Sequence, residues 1–182
     1  MSTTEQITAV PTGTWTSDPV HSSFGFSVKH MVVATFRGSL TDFGATLTAA
    51  EDGSARLEGS GRVASVVTQD ENLTGHIQSP DFFDAQRYPE VLYVATDIAR
   101  DGESLVVRGE LTLKGVTKPL ELTGSLVGPI VGLYDTERIG VELQGVIDRR
   151  EYGLNWNAPL PTGGLAVGND VTLTAHLELV RA

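Results

Sequence analysis

The sequence predicts an all-β protein, an up-and-down antiparallel eight-stranded β-barrel with one short helix or loop excursion. Four stretches of strand length, 105–113, 120–126, 139–147 and 171–179, carry an apolar or small residue at every second position. Because side chains alternate between the two faces of a strand, each stretch has one apolar face and one polar face. Little helix is available to cover the apolar faces, and mostly short turns join the strands, which favours closure into a barrel.

The strands predicted ahead of these four follow the same alternation and, in chain order, cover 14–16, 22–30, 36–49 and 55–63. Asp18 and Pro19 end the first strand. The segment 30–35 has no period of two and is expected to form a helical turn. The alternation changes phase near Asp42, as a β-bulge would produce. The turn signal at 51–53 then reverses the chain into the next strand.

The segment 69–90 breaks the strand pattern. Its residues 70–77 predict a short helix with acidic residues at its start, where the helix dipole favours them. Residues 79–89 read as a loop, the strand pattern resumes at Val91, and residues 149–169 form a second long loop. The organisation expected is therefore a flexible N-terminal tail over residues 1–12 and one barrel domain over residues 13–182.

Composition and charge narrow the functional classes. With 23 acidic residues against 13 Lys and Arg among 182, the net charge is -10, which disfavours binding to nucleic acids or to anionic membranes through basic patches. There is no cysteine, so thiol catalysis and thiolate metal sites are excluded. The N-terminal region lacks the pattern of a signal peptide and no segment is apolar enough to span a bilayer, so we expect a cytoplasmic protein without an integral membrane segment.

No sequence motif points to catalysis. The nucleophile elbow, the phosphate-binding loop and the zinc-protease helix motif are all missing. A pair of carboxylates for glycoside cleavage stays open, since only spatial separation identifies one. The four histidines are far apart and give no metal-ligand spacing. The protein is therefore expected to be no enzyme, and to hold no metal and no cofactor.

Several motifs resemble the YceI-like family of lipocalin-like polyisoprenoid-binding proteins. The likeness runs from Trp15 to Val180, and the stretches that carry it are 18–22, 26–30, 36–43, 76–89, 109–119, 147–153 and 167–171. The most specific are Phe82–Phe83–Asp84–Ala85 and the segment 109–119. Members of this family commonly carry an Arg-Asp pair just before the histidine of the first loop, where this chain has residues 73–75, Leu-Thr-Gly.

The resemblance implies a barrel that carries or sequesters one long isoprenoid lipid, such as an isoprenoid quinone or a polyprenyl diphosphate, and it suggests a homodimer. The pattern of the chain is compatible with this, since an eight-stranded barrel can hold one small ligand or be filled by its own side chains. Small residues on the apolar faces, such as Gly59, Gly61, Gly109, Gly124 and Gly145, would leave room inside. Two alternatives stay open: an enzyme acting on a lipid-linked substrate in the same bore, and an interaction module with a filled core.

The predicted ligand-binding residues are apolar side chains on the inward faces, one histidine at a strand end and a Phe pair in the first loop: Phe24, Phe26, Val28, His30, Phe36, Phe43, Phe82, Phe83, Leu111, Leu113, Leu122 and Leu143. His30 is favoured as a buried core histidine, with contact to a ligand head group at the mouth as the second hypothesis. Phe82 and Phe83 are expected to plug one end of the barrel or to cover the ligand. Arg149 and Arg150 are interpreted as surface residues that balance nearby acids.

Overall fold

The structure is a computed structural model and describes residues 8–182. It contains eleven strands: β1 (Gly13–Ser17), β2 (Ser23–His30), β3 (Ala34–Leu40), β4 (Phe43–Ala49), β5 (Ala55–Arg62), β6 (Val66–Val67), β7 (Glu90–Asp101), β8 (Ser104–Leu113), β9 (Val116–Val131), β10 (Glu137–Asp148) and β11 (Val167–Arg181). The helix α1 spans Glu71–Gln78, and short 3-10 turns occupy Val63–Ser65, Leu133–Asp135 and Arg149–Tyr152.

These segments form a closed barrel of eight antiparallel strands. Three of the eight are interrupted once each, so that β1 continues into β2, β3 into β4 and β5 into β6. Sequential neighbours then pair around the ring, and β11 closes it by pairing with β2 along Val167–His176 and with β1 along Leu179–Arg181. The predicted eight-stranded up-and-down barrel is confirmed.

The interruption between β3 and β4 lies where the sequence pattern changes phase. At this point Thr41 donates its backbone N–H to the Ser65 carbonyl, and the Asp42 carbonyl accepts from Arg62 N. The break lets β3 pair with β2 and β6 while β4 pairs with β1 and β5. The barrel wall therefore bends here, as expected for an irregularity at this position.

The segment 30–35 does not form the helical turn that the sequence predicts. It is the tip of a hairpin, in which His30 pairs with Ala34 across β2 and β3. Met31 and Val32 adopt positive φ angles of 48° and 66°, a backbone conformation that side chains with a branched Cβ rarely take. The conformational preferences of Met31 and Val32 therefore did not indicate the hairpin turn that forms.

Helix α1 forms where the sequence predicts it. The Asp70 carboxylate accepts from Leu73 N at 2.9 Å and caps the first turn. One apolar residue, Ile77, is buried beneath the helix. Phe83 N donates to the Ile77 carbonyl, so the loop 79–89 folds back under the end of α1. Helix and loop together cover one end of the barrel, next to β6 and the start of β7.

The opposite end of the barrel is filled by a dense apolar core. Trp15 is fully buried there, its indole N–H donates to the Pro11 carbonyl at 3.0 Å, and the Arg181 guanidinium lies 4.5 Å from the ring centre. The residues packed with Trp15 are Leu47, Leu57, Ala95, Leu105, Val107, Leu126, Ile139, Val141, Leu143, Leu177 and Leu179. This half of the bore is closed by the protein's own side chains.

Of the N-terminal tail predicted over 1–12, residues 1–7 lie outside the described residues. Within 8–12 the carbonyls of Ala9 and Pro11 accept hydrogen bonds from Arg100 and Trp15, and Val10 packs against the core. No helix within residues 8–182 has both the length and the apolar character needed to cross a membrane.

Candidate functional site: an apolar cavity open at one end of the barrel

The other half of the bore is hollow. A cavity of about 240 Å³ lies beneath α1 and the loop 79–89, and a smaller one of about 90 Å³ lies deeper in the barrel. The two share the wall residues Phe24, Val91, Leu111 and Leu173, so they follow one another along the bore. Together they reach the lower end of the range of ligand pockets, which starts near 300 Å³.

Every ligand-binding residue predicted from the sequence lies on the wall of one of these cavities. The larger cavity is lined by Phe24, Phe26, Val28, His30, Phe36, Phe82, Phe83, Leu111 and Leu113, and the smaller one by Phe24, Phe43, Leu111, Leu122 and Leu143. Strand alternation found those that lie on strands because inward positions of one barrel share one interior, whereas Phe82 and Phe83 stand out only as an apolar pair in a loop. Their contact with a ligand stays a prediction.

His30 is exposed at the rim of the larger cavity, and not buried in the core as the favoured interpretation had it. It is the last residue of β2, where the wall ends and alternation no longer decides burial. The Phe pair has both expected positions at once. Phe83 packs edge-on against Phe26 with 5.9 Å between ring centres, while Phe82 packs against Trp156 of the loop 153–166 at 5.4 Å.

The strand glycines fall into two groups with different physical roles. A Cβ on Gly59, which lines the smaller cavity, would meet only the Gly44 carbonyl, at 3.9 Å. Gly61 lines the same cavity, but a Cβ there would lie 2.6 Å from the Leu40 side chain. A Cβ on Gly109 or Gly124 would instead overlap the backbone of the neighbouring strand. Gly59 therefore leaves room in the bore, whereas Gly109 and Gly124 permit close approach of strands regardless of any ligand.

Aromatic and polar contacts hold the cover over the mouth. His76 of α1 lies between two rings, at 5.0 Å from Phe82 and 4.8 Å from Trp156, and its Nε2 is 3.0 Å from the Asp81 carboxylate. Trp156 belongs to the loop 153–166, which approaches from the other side of the mouth. Trp156 could not be predicted as a site residue because it lies in a loop with no periodic pattern.

Arg149 holds the loop 153–166 in place through hydrogen bonds made in the interior of the protein. Only 3% of its surface is exposed, and its guanidinium donates to the carbonyls of Leu154, Trp156, Val167 and Gly168. Burial lowers the pKa of Arg149. The interpretation of Arg149 as a surface residue is therefore wrong, whereas Arg150 is exposed and pairs with Asp148 as expected.

A second polar group set deep in the barrel is the Tyr93 hydroxyl, on the wall of the smaller cavity. It donates to the Leu120 carbonyl at 2.9 Å, and burial raises the pKa of Tyr93 to about 12. The phenol therefore stays neutral at physiological pH and its proton is already engaged. The remaining wall of the smaller cavity is apolar apart from Ser60 and Thr174.

A separate polar cluster lies where β1 gives way to β2. Asp18, His21 and Glu178 bring their donor atoms within 4.8 Å of one another, but the Arg138 guanidinium contacts both carboxylates. Hydrogen bonds from His21, Val20 and Arg138 hold the pKa of Asp18 far below its ordinary range, and Asp18 raises the pKa of His21. The arrangement is an ion-pair network, since a cation of the protein already neutralises the acids.

Solved structures with the same fold share its architecture at low sequence identity. Burkholderia cenocepacia BcnA superimposes with a TM-score of 0.75 at 21% identity, over 91% of this chain and 99% of that one. The Campylobacter jejuni YCEI protein gives 0.69 at 24% identity, covering 85% and 90%. A polyisoprenoid binding domain from Saccharophagus degradans, implicated in plant cell wall breakdown, gives 0.62 at 14% identity, covering 94% and 99%.

Relatives at higher identity point to the same family. A UPF0312 protein of Staphylococcus aureus strain USA300 is 32% identical over 170 residues, which cover 90% of this chain and 95% of the relative. The corresponding protein of the bovine strain RF122 is 30% identical over the same length. The family model described as the YceI-like domain matches residues 15–179, nearly the whole barrel. This chain is therefore a member of the YceI-like domain family.

Proposed function

We propose that this protein binds one long isoprenoid lipid in the barrel and carries or sequesters it without chemical change. The observation that supports this most directly is the apolar bore, hollow beneath α1 and filled around Trp15. A polyisoprenoid binding domain with the same fold supports the choice of ligand class. An isoprenoid quinone and a polyprenyl diphosphate are the two ligands we favour.

The wall chemistry suits a branched hydrocarbon. Burial of each methylene group contributes about 0.8 kcal/mol, so one prenyl unit contributes roughly 3 to 4 kcal/mol before the cost of ordering the chain. Two or three units would therefore be held tightly without a charged anchor. The aromatic rings of Phe24, Phe26 and Phe36 line the cavity that would receive them.

Polar groups that could drive catalysis are few along the bore. The Tyr93 phenol is neutral and hydrogen-bonded to a carbonyl, and the Arg149 guanidinium is occupied by four backbone oxygens. A general acid or base needs a group that is free to transfer its proton near neutral pH. The histidines of the larger cavity, His30 and His76, lie at its mouth and not deep in the bore. This supports a binding role, with an enzyme acting on a lipid-linked substrate as the alternative.

Native mass spectrometry after detergent-free purification tests the proposal. We expect one added lipid mass per chain, with prenyl fragments upon activation. Loading the emptied protein with prenyl alcohols from farnesol to decaprenol should give affinity that rises with chain length and then levels off when the bore is full. A linear saturated alcohol of matched carbon number is the control, and the branched chain should bind more tightly.

Other outcomes decide between the alternatives. Conversion of the added lipid to a product of different mass would establish an enzyme. A bare chain mass with every lipid would contradict the proposal and favour an interaction module. The same spectra report the oligomeric state. The homodimer and the cytoplasmic location expected from the sequence stay predictions.

A further inference from the structure

The hairpin tip between β2 and β3 exposes apolar side chains at the mouth of the cavity. Met31, Val32 and Val33 are 42%, 78% and 84% exposed. The N–H of Met31 donates to the Ala166 carbonyl at 2.8 Å, which places the half-exposed Leu165 beside the tip. We call Met31, Val32, Val33 and Leu165 the rim patch.

The rim patch adjoins the cavity directly. Lys29, His30 and Ala166, the neighbours of the patch in the chain, all line the larger cavity. A prenyl chain that leaves the bore at this side would pass from the cavity wall, beside Lys29 and His30, directly onto the patch. Continuity of apolar surface from a cavity to an exposed tip is expected where the ligand moves between protein and a lipid phase.

The backbone of the tip favours different residues from those it has. Two successive positive φ angles, 48° at Met31 and 66° at Val32, are a backbone conformation that Gly and Asn adopt most readily. A side chain branched at Cβ is the least suited to this conformation. A local sequence that conflicts with its own turn is expected where the exposed side chains have a function.

Charge is also unevenly distributed around the molecule. Residues 19–41, which contain the hairpin, hold no Asp or Glu, and residues 152–169 hold no charged residue, although the chain has 23 acids and a net charge of -10. The cations of the hairpin, Lys29 and Arg37, make no ion pair within the described part of the chain. Acidic residues are repelled by an anionic bilayer, which favours contact through the hairpin. Glu71 of α1 and Asp81 also lie at this end of the barrel, so the acid-free surface is that of the hairpin and the segment 152–169.

The opposite end of the barrel offers a comparison. The tip between β9 and β10 exposes Leu133 and Tyr134 at 81% and 93%, and Tyr134 also has a positive φ of 62°. This second tip carries Asp135 and Glu137 and lies beside the filled core, far along the strands from the cavity. The second tip is therefore apolar, but it carries acidic residues and does not adjoin the cavity.

We propose that the rim patch inserts into the interface of a lipid bilayer, so that the hydrocarbon ligand passes directly between membrane and barrel. This inference rests on the proposed function. The occupant is the bilayer itself, because apolar side chains flanked by cations match its interface, and the cavity behind them needs a lipid source. The hairpin acts as a contact site and not as an anchor, since four side chains give weak, reversible binding.

The test uses the double variant Met31→Asn with Val32→Gly, which removes two of the four apolar side chains of the rim patch and supplies residues that adopt positive φ angles readily. It should fold at least as stably as the wild type, so a loss of function cannot be attributed to unfolding. The matched control is Leu133→Ser with Tyr134→Asn at the other tip. Flotation with vesicles of phosphatidylcholine and phosphatidylglycerol measures membrane association, and transfer of a fluorescent prenyl lipid from donor vesicles measures exchange.

We expect the wild type and the control to float equally and the rim variant to float at least about tenfold less, with transfer slowed to a similar degree. Binding of a short, water-soluble prenyl probe, added without vesicles, should be unchanged in all three. Equal flotation of the rim variant, or equal loss in the control, would overturn the inference. So would a dimer that the rim variant dissociates while no protein floats.

Failure of the proposed function is distinguishable from failure of this inference. If the wild type floats in a way that depends on the rim patch but binds no prenyl probe, membrane contact is supported and the proposed ligand is excluded. If the wild type binds the probe and transfers it equally well without the rim patch, the proposed ligand is supported and the membrane contact is excluded.

Discussion

The imidazole of His76 lies edge-on to the indole of Trp156, with 4.8 Å between the ring centres. This contact joins α1 to the loop 153–166 across the mouth of the larger cavity. The two segments are far apart in sequence and belong to no common sheet. Opening of the mouth therefore has to separate these rings or move both segments together.

The substitution Trp156→Ala is expected to loosen this cover. An aromatic pair contributes about 0.5 to 1.5 kcal/mol, so opening should become about twofold to tenfold more frequent. Hydrogen exchange of the backbone amides of α1 measures this directly. Trp156→Phe keeps a ring in place and serves as the control. Exchange as slow in Trp156→Ala as in the wild type would show that the ring contact does not hold the cover.

Filling the smaller cavity should shorten the chain that the barrel accepts. Gly59→Leu places a side chain into open space, so the variant should fold and lose affinity for long prenyl alcohols while short ones still bind. Native mass spectrometry over the chain-length series measures the shift. An unchanged chain-length profile in a folded variant would contradict a ligand in this part of the bore.

A glycine of the other group provides the contrast. The Cβ introduced by Gly109→Ala would overlap the Val94 carbonyl and the Ala95 side chain of the adjacent strand. This variant should lose stability in urea unfolding, by about 1 to 3 kcal/mol, whether or not lipid is present.

Arg149→Lys should destabilise the protein far more than the same change at the next residue. A lysine cannot reach four carbonyls with one ammonium group, and each buried acceptor left unsatisfied costs about 1 to 3 kcal/mol. We expect a loss of at least about 2 kcal/mol in urea unfolding. Arg150→Lys, at an exposed ion pair with Asp148, should cost less than about 1 kcal/mol. Equal losses would mean that the hydrogen bonds of Arg149 do not hold the loop.

The network around Asp18 predicts a pH dependence of stability. Because Asp18 raises the pKa of His21, protonated His21 stabilises the folded state. Its contribution is complete below the ordinary value of 6.5 and disappears as the pH rises through the raised pKa. Urea unfolding at a series of pH values should show this decline in the wild type and its absence in His21→Ala. Parallel curves for the two proteins would refute the linkage.

The acidic side of the profile has the opposite sign. The pKa of Asp18 is lowered by its hydrogen bonds, so its contribution is present above the ordinary value of 3.8 and is lost as the pH falls through the folded value. Asp18→Asn should flatten the acid limb of the same curve.

Strand alternation predicted the barrel and its wall because each strand has a regular period and one interior serves all of them. It could not predict which half of the interior is filled. That depends on Trp15, which packs beneath Leu179 and Leu126 from distant parts of the chain. The number of inward glycines therefore does not predict which half of the bore is filled, whereas the position of Trp15 does.

The structure of the loops could not be predicted from strand alternation. Arg149 is buried because carbonyls at Leu154 and Gly168 converge on it, and nothing in the residues near it in sequence signals this. The turn at Met31 and Val32 was mistaken because its backbone opposes the preferences of its residues. Both errors fall next to the mouth, where the chain departs from regular structure.

The packing around Trp15 fills the bore at the end opposite the mouth. A prenyl chain that enters under α1 would have to advance with its hydrocarbon terminus foremost and withdraw by the same route in reverse. Its polar group would then stay outside the barrel, within reach of any enzyme or membrane that handles that group.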